Sequence, residues 1–162
     1  MTLKEYLPYF EDVVRPTESL FKMVPTDKVD WSPVPGAFTC GQLMAHIAGG
    51  LSVYAHGITS GDWGFQSMRE RFLMNRHTPT MGPDEAIATY HAAREEYLRL
   101  VGGLSEEDFQ NGEVDAPQFG AKTKRWRVAL FAAEHHLNHK AELFMYLKVL
   151  GIKVHTGHLY RG

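Results

Sequence analysis

The chain has 162 residues, 44% hydrophobic and 22% charged, which suits one globular domain spanning 1–162 with a substantial core and excludes intrinsic disorder. Seventeen basic and 19 acidic residues leave a net charge of −2, so no basic surplus points to nucleic acid as a partner. The lone cysteine, Cys40, excludes an internal disulfide, and the longest apolar run, Val128 to Ala133, is far too short to cross a bilayer. The opening stretch MTLKEYLPYFEDVV lacks the apolar centre of a signal peptide, and the expected setting is cytoplasmic.

From Thr2 to about Val24, Leu3, Leu7, Phe10, Val14, Phe21 and Val24 recur at helical intervals. Pro16 lacks a backbone donor and disfavours helix at Arg15, so a kink or break is expected there. PTDKVDWSPVPG reads as a connection. A second helix starts after Thr39, with Gln42 three residues on completing a capping box, and its stripe Leu43, Ile47, Leu51, Tyr54 runs to about His56. Gly49 and Gly50 inside it suggest close approach by a neighbouring helix. Residues 57 to 83 form a long connection containing a short helix, with Trp63 and His77 placed to act as a lid or as plain connection.

The third long helix is expected from about Asp84 to Val101, its acidic start suiting the positive helix end and Gly102-Gly103 stopping it. Ser105 to Asp108 opens one short turn, and EVDAPQFGAKTK is a loop or at most a hairpin, rimmed by Lys122, Lys124 and Arg125. The fourth helix is expected from about Thr123 to Leu150, ending at Gly151. Four helical segments with little strand signal predict an all-α antiparallel four-helix bundle with a long connection after helix two.

Nine histidines are present, three of them within residues 135–139. At 100° per residue, His135 and His139 lie roughly 40° apart, in the middle of the arc formed by Val128, Ala132, Leu143, Tyr146 and Leu150. Imidazoles on an apolar face are costly to bury unpaired, and the i, i+4 spacing brings both rings within reach of one ion. His136 falls on the flank. His46 sits at the edge of the apolar arc of helix two and supplies a third candidate. Three neutral imidazoles from two helices would hold Zn²⁺ or Ni²⁺ and leave a position open. The alternative is a set of core histidines hydrogen-bonded to tyrosine or carboxylate. A zinc-peptidase motif is absent, because position 136 is His where that motif needs Glu. Glu142, three residues after His139, could orient a ligand, take the proton of a bound water, or add a fourth ligand; otherwise it pairs with a nearby cation.

The run HHLNHKAELFMYLKVLG (135–151) resembles the C-terminal signature of the DinB/YfiT-like family: His, three residues, a second His, a basic and a small residue, Gln or Glu, and an apolar run ending in Gly. WSPVPGAFTCGQLMAHI (31–47) is similar to that family's other block, a tryptophan-proline turn leading into a helix that carries the first histidine. The resemblance covers nearly the whole chain. It implies a four-helix bundle with a His₃ site for nickel or zinc, supplied here by His46, His135 and His139. Relatives with an assigned reaction include thiol-dependent S-transferases and a mycothiol-dependent maleylpyruvate isomerase. Glu142 stands where the family often has Gln, and Pro16 interrupts a first helix that is usually continuous.

Such a site suggests catalysis in which a divalent cation lowers the pKa of a low-molecular-weight thiol, whose thiolate attacks an electrophilic carbon of a second small molecule; hydrolysis would use the same site differently. A non-catalytic metal-binding stress-response protein is the alternative, and a bundle with merely packed histidines, or a haem site, is a third. Lys122, Lys124 and Arg125 could bind the carboxylates of a thiol or remain solvated. Cys40 reads as a packing residue, and His56, His91, His155 and His158 as surface residues. Leu130, Leu137 and Phe144 recur every seven residues opposite the histidines, which predicts a homodimer packed through that stripe or else a stripe covered by the chain's own connection.

Overall fold

Local capping chemistry sets where four of the eight α-helices begin. In the computed structural model, which describes residues 1–162, α1 spans Leu3–Val14 and opens on a capping box: Thr2 Oγ1 accepts from the Glu5 amide at 3.1 Å while the Glu5 carboxylate accepts from the Thr2 amide at 2.9 Å. Glu106 accepts from the next two amides, Leu3 and Lys4, at 2.9 and 3.1 Å, filling donors that a helix start leaves open. The chain breaks at Arg15-Pro16, as expected, and resumes as α2, Thr17–Lys22. That break frees the carbonyls of Val13 and Val14. The buried Lys140 ammonium donates to Val13 O, and Tyr90 Oη donates to Val14 O at 2.7 Å.

A 3₁₀ turn, Thr26–Lys28, precedes α3, Cys40–Ser60, which opens on the Thr39–Gln42 capping box. This helix runs four residues past the expected end at His56. Gly57 does not stop it; the stop is Gly61, whose φ of 77° is the left-handed conformation that favours glycine. At Gly57 the indole ring of Trp63 packs where a Cβ would stand, 2.4 Å from it, so the absent side chain lets the connection fold back onto the helix. The connection contains α4, Met68–Asn75, and leads to α5, Pro83–Gly102. A short α6, Glu106–Asn111, follows.

The all-α expectation needs one correction. Glu113–Ala116 and Ala121–Lys124 form β1 and β2, an antiparallel hairpin in which Glu113 pairs with Lys124 and Ala116 with Ala121. Thr123 and Lys124 therefore belong to a strand, and α7 begins two residues later than expected, spanning Arg125–Val149. It ends in a Schellman motif: Gly151 has a φ of 78°, its amide donates to Lys148 O at 3.0 Å, and the Ile152 amide donates to Leu147 O at 2.9 Å. A last turn, α8, covers Gly157–Tyr160. The fold is thus mostly helical with a small two-stranded sheet.

Helix α3 packs against α5 and α7, α1 against α7, and α2 against α5. The centre is aromatic: Phe10 stacks on Tyr97 at 4.1 Å, and Tyr6 tilts against Phe109 at 5.5 Å. The two tyrosine hydroxyls lie 2.6 Å apart, and Tyr6 Oη donates onward to Ala129 O at 2.7 Å, so neither is buried without a partner. No helix is long and apolar enough to cross a membrane.

Candidate metal centre

The Trp-Pro turn and the start of α3 fix His46. Cys40 and Gly41 donate their amides to the carbonyls of Trp31 and Val29, each at 2.8 Å, which locks the preceding turn onto the helix start. His46 is nearly fully buried, 6% exposed, and faces α7, where His135 and His139 stand one turn apart. One ligand nitrogen from each of the three lies within 4.8 Å of the others. His46 Nε2 and His135 Nε2 are 3.4 Å apart. A tetrahedral ion with bonds of ~2.0–2.1 Å separates its ligand nitrogens by roughly 3.3 Å, so this edge already fits. Three imidazoles also form a donor set suited to zinc, nickel or copper.

Burial sets the protonation of this cluster. Desolvation, then the neighbouring His139, holds the pKa of His135 down to about 3; for His46 desolvation, then His139 and His135, has the same effect. Both imidazoles are neutral near pH 7, with lone pairs available to an ion.

Glu142 reaches His139 rather than the other two histidines. Its Oε2 accepts from His139 Nδ1 at 2.9 Å and its Oε1 accepts from Tyr146 Oη at 3.0 Å. The first of these bonds holds the carboxyl below its ordinary range, so it is ionised and accepts the Nδ1 proton of His139. Tyr146 is in turn met edge-on by Trp31 at 5.7 Å. The two sequence blocks, 31–47 and 135–151, therefore meet through Trp31 and Tyr146 as well as through the histidines.

The other histidines lie elsewhere. His136, 2% exposed, turns away from the cluster and hydrogen-bonds Thr17 Oγ1 at 2.7 Å, bracing the start of α2. His56 pairs with Glu96 at 3.2 Å and His91 with Glu18 at 3.1 Å, both at the surface. His155 and His158 lie against each other near the C-terminus, ring centroids 3.9 Å apart and planes tilted by 41°. Cys40 is buried, its thiol pushed up to about 11 by desolvation, which suits a packing residue.

A cavity of about 310 Å³ opens beside the three histidines, walled by aromatic side chains including Phe38, Tyr54 and Phe131. Gly50, one turn after His46, lies in this wall, and a Cβ on Gly49 or Gly50 would meet nothing within 4 Å. These glycines do not seat a neighbouring helix; their missing side chains leave space next to the cluster. Trp63 is part of the same wall, with Nε1 donating to Asp115 O at 2.7 Å, so this part of the connection is anchored. His77 is exposed and borders a second recess behind Arg71 and Asn75.

The basic loop has other duties. Arg125 Nε donates to Ile58 O at 3.0 Å and Nη2 to Thr59 O at 3.4 Å, capping the end of α3. Lys124 donates to Asn111 O at 2.8 Å and pairs with Glu113, while Lys122 is exposed on β2. The cation in the cavity wall is Arg71 of α4, accompanied by Asn75 and by Gln118 of the hairpin turn. Sequence reasoning passes over all three, because nothing distinguishes Arg71 from the neighbouring Arg69 and Arg76 until α4 is folded over α3.

Residues 9–143 match the sequence profile of the DinB superfamily. The chain belongs to that superfamily. It is 24% identical over 137 residues to the uncharacterized protein YjoA of Bacillus subtilis (strain 168), covering 83% of this chain and 82% of that one. The crystal structure of YjoA, described as a DinB-like protein, superposes with a TM-score of 0.73 at 19% identity, covering 98% of this chain and 99% of the other. A DinB-like protein of Bacillus cereus ATCC 10987 gives 0.74 at 15% identity, covering 95% and 96%. These likenesses establish the DinB-like fold.

Proposed function

We propose that this protein is a metal-dependent enzyme in which His46, His135 and His139 hold one divalent cation, zinc or nickel, and which joins a low-molecular-weight thiol to an electrophilic carbon of a second small molecule. The observation that carries the reading is that the three ligand nitrogens face a cavity of about 310 Å³ instead of a closed core. A purely structural site would be closed by a fourth side chain, but both Glu142 oxygens are engaged by His139 and Tyr146. In this reading the α1–α2 segment, α3, α5 and α7 act as the members of a four-helix bundle, a scaffold that aims ligands from facing helices at one point.

A divalent cation so held supplies the Lewis acidity that lowers a thiol's pKa and makes thiolate available near pH 7. Glu142 fixes the proton on His139 Nδ1 and turns Nε2 toward the other two imidazoles. Phe38, Tyr54 and Phe131 exclude water from the second substrate and hold its reactive carbon near the sulfur. The sulfur–carbon bond forms as the bond to the leaving group breaks, the electron pair departs with that group, and the thiol proton passes to solvent. The chain also pairs with a second copy through Leu130 and Leu137 on the outer side of α7.

Metal analysis by mass spectrometry on untagged wild-type protein and His139→Ala tests the site first. Close to one zinc or nickel per chain in the wild type, lost in the variant, is the expected result. Consumption of glutathione or cysteine in the presence of an activated aryl chloride then tests the reaction. Metal without turnover for any thiol would favour the non-catalytic metal-binding, stress-response role. No metal after incubation with Zn²⁺ and Ni²⁺ would leave a bundle with packed histidines.

A further inference from the structure

Arg71 stands out because its charge is unanswered. The arginine ion pairs of this chain belong to Arg15, Arg94, Arg125 and Arg127; of the five arginines without one, Arg69, Arg76, Arg99 and Arg161 are exposed to water and Arg71 alone is not. Its guanidinium is half-buried against the Phe65 ring, 5.7 Å from the centroid, and burial pulls its pKa below the ordinary arginine value. A partly desolvated guanidinium without a counter-charge is costly, and bidentate pairing with a planar anion relieves that cost. In the same cavity wall, Gln118 Nε2 is buried and has no hydrogen-bond partner, an uncommon condition for an amide donor. Both groups line the cavity that holds the three histidines. The rest of that wall is largely apolar and aromatic.

We propose that Arg71 and Gln118 receive the carboxylate of a small, otherwise apolar acid, whose other end lies against the imidazoles of His46, His135 and His139. The guanidinium fork matches both carboxylate oxygens, and the Gln118 amide supplies a third donor. A cavity of about 310 Å³ stands at the small end of the ~300–1,000 Å³ range of ligand sites, which suits a single-ring molecule and excludes a peptide or polymer. Thiols such as glutathione carry an ammonium and several amides, which aromatic walls would leave unpaired. The acid is therefore the electrophilic partner in the proposed reaction and not the thiol. This inference rests on the metal-enzyme reading only for what the far end of the acid meets.

The test uses phenylacetate and its neutral amide, phenylacetamide, titrated by calorimetry or NMR into chelator-treated full-length protein, so that a metal cannot capture the carboxylate. Phenylacetate should bind at least tenfold more tightly than the amide. Arg71→Gln should abolish that preference, Arg71→Lys should retain part of it, and Arg69→Gln, on the exposed side of α4, should leave it unchanged. Gln118→Leu should weaken the acid by several-fold. Equal binding of acid and amide to the wild type overturns the proposal, even where Arg71→Gln proves unstable. So does an Arg71→Gln protein that keeps the preference. Zinc and nickel binding, measured separately on the same proteins without chelator treatment, decides the metal reading: metal bound with no acid preference removes only the carboxylate site, whereas an Arg71-dependent preference without either metal keeps that site and removes the metal enzyme.

Discussion

Glu142 accepts the Nδ1 proton of His139 at 2.9 Å and, through its other oxygen, the hydroxyl proton of Tyr146 at 3.0 Å. One carboxylate thus sets the tautomer of the histidine nearest it and ties that histidine to the aromatic packing around Trp31. Removing a group that orients a ligand typically costs 10–100-fold in metal affinity. Glu142→Ala is expected to weaken zinc binding by about that factor, read by competition with a chromophoric chelator. Glu142→Gln keeps an oxygen that can accept from Nδ1 and should lose much less. Wild-type affinity in Glu142→Ala would show that His139 needs no partner.

What could be read from the sequence is what local rules determine. The capping box at Thr39, the break at Pro16 and the terminal Gly151 act within a few residues of chain, and all stand where spacing puts them. The histidine cluster is legible for the same reason: His135 and His139 share a helix face, and His46 stands at the edge of the apolar arc of another helix. The hairpin is less visible because its strands are four residues each and carry alternation only weakly. Arg71, Gln118 and the role of Gly50 are settled by how α4 and the hairpin turn lie over α3, which no periodicity encodes. Arg125 misleads in the same way, since a loop arginine looks the same whether it binds a ligand or caps a distant helix.

Trp63 joins three parts of the molecule: its ring covers Gly57, meets Tyr54 edge-on at 5.8 Å, and its indole N–H reaches Asp115 O at 2.7 Å. A methyl group at position 57 would occupy ring space, since a Cβ there lies 2.4 Å from the indole. Gly57→Ala is therefore expected to destabilise the fold by ~1–3 kcal/mol, the usual range for overpacking. Displacement of Trp63 should also appear as a red-shifted tryptophan emission. Chemical denaturation followed by fluorescence checks both, and unchanged stability with unchanged emission would mean the ring packs elsewhere.

Cys40 offers a pH-dependent test away from the histidines. Burial raises its thiol from an ordinary value near 9.0 to about 11 in the folded chain. The unfolded chain gives up this proton first, so the contribution of Cys40 to stability is complete below about pH 9 and is lost as pH rises through about 11. Comparison of wild type with Cys40→Ala across this range isolates the effect: the stability advantage of the wild type should shrink toward pH 11. Alkylation of the native protein at neutral pH should also be slower than that of the unfolded chain by on the order of a hundredfold from the thiolate fraction alone. Equal rates would place the thiol in contact with solvent.

The outer side of α7 separates two accounts of its apolar stripe. Phe144 lies within the chain's own core, 5% exposed, with the Lys148 ammonium 4.6 Å above its ring. Leu130 and Leu137 are half-buried, and nearer the C-terminus of the same helix Met145 and Val149 are 53% and 63% exposed. The chain's own residues thus cover one end of the stripe fully and Leu130 and Leu137 only in part, which leaves their outer edges for a second copy. A glutamate at position 137 would place a charge in the middle of such a contact, where an unpaired carboxylate is costly to bury. Light scattering should find a dimer for the wild type and a monomer for Leu137→Glu, with the metal content of the two proteins equal. A monomeric wild type, or a dimer unaffected by Leu137→Glu, would show that this face of α7 meets only solvent.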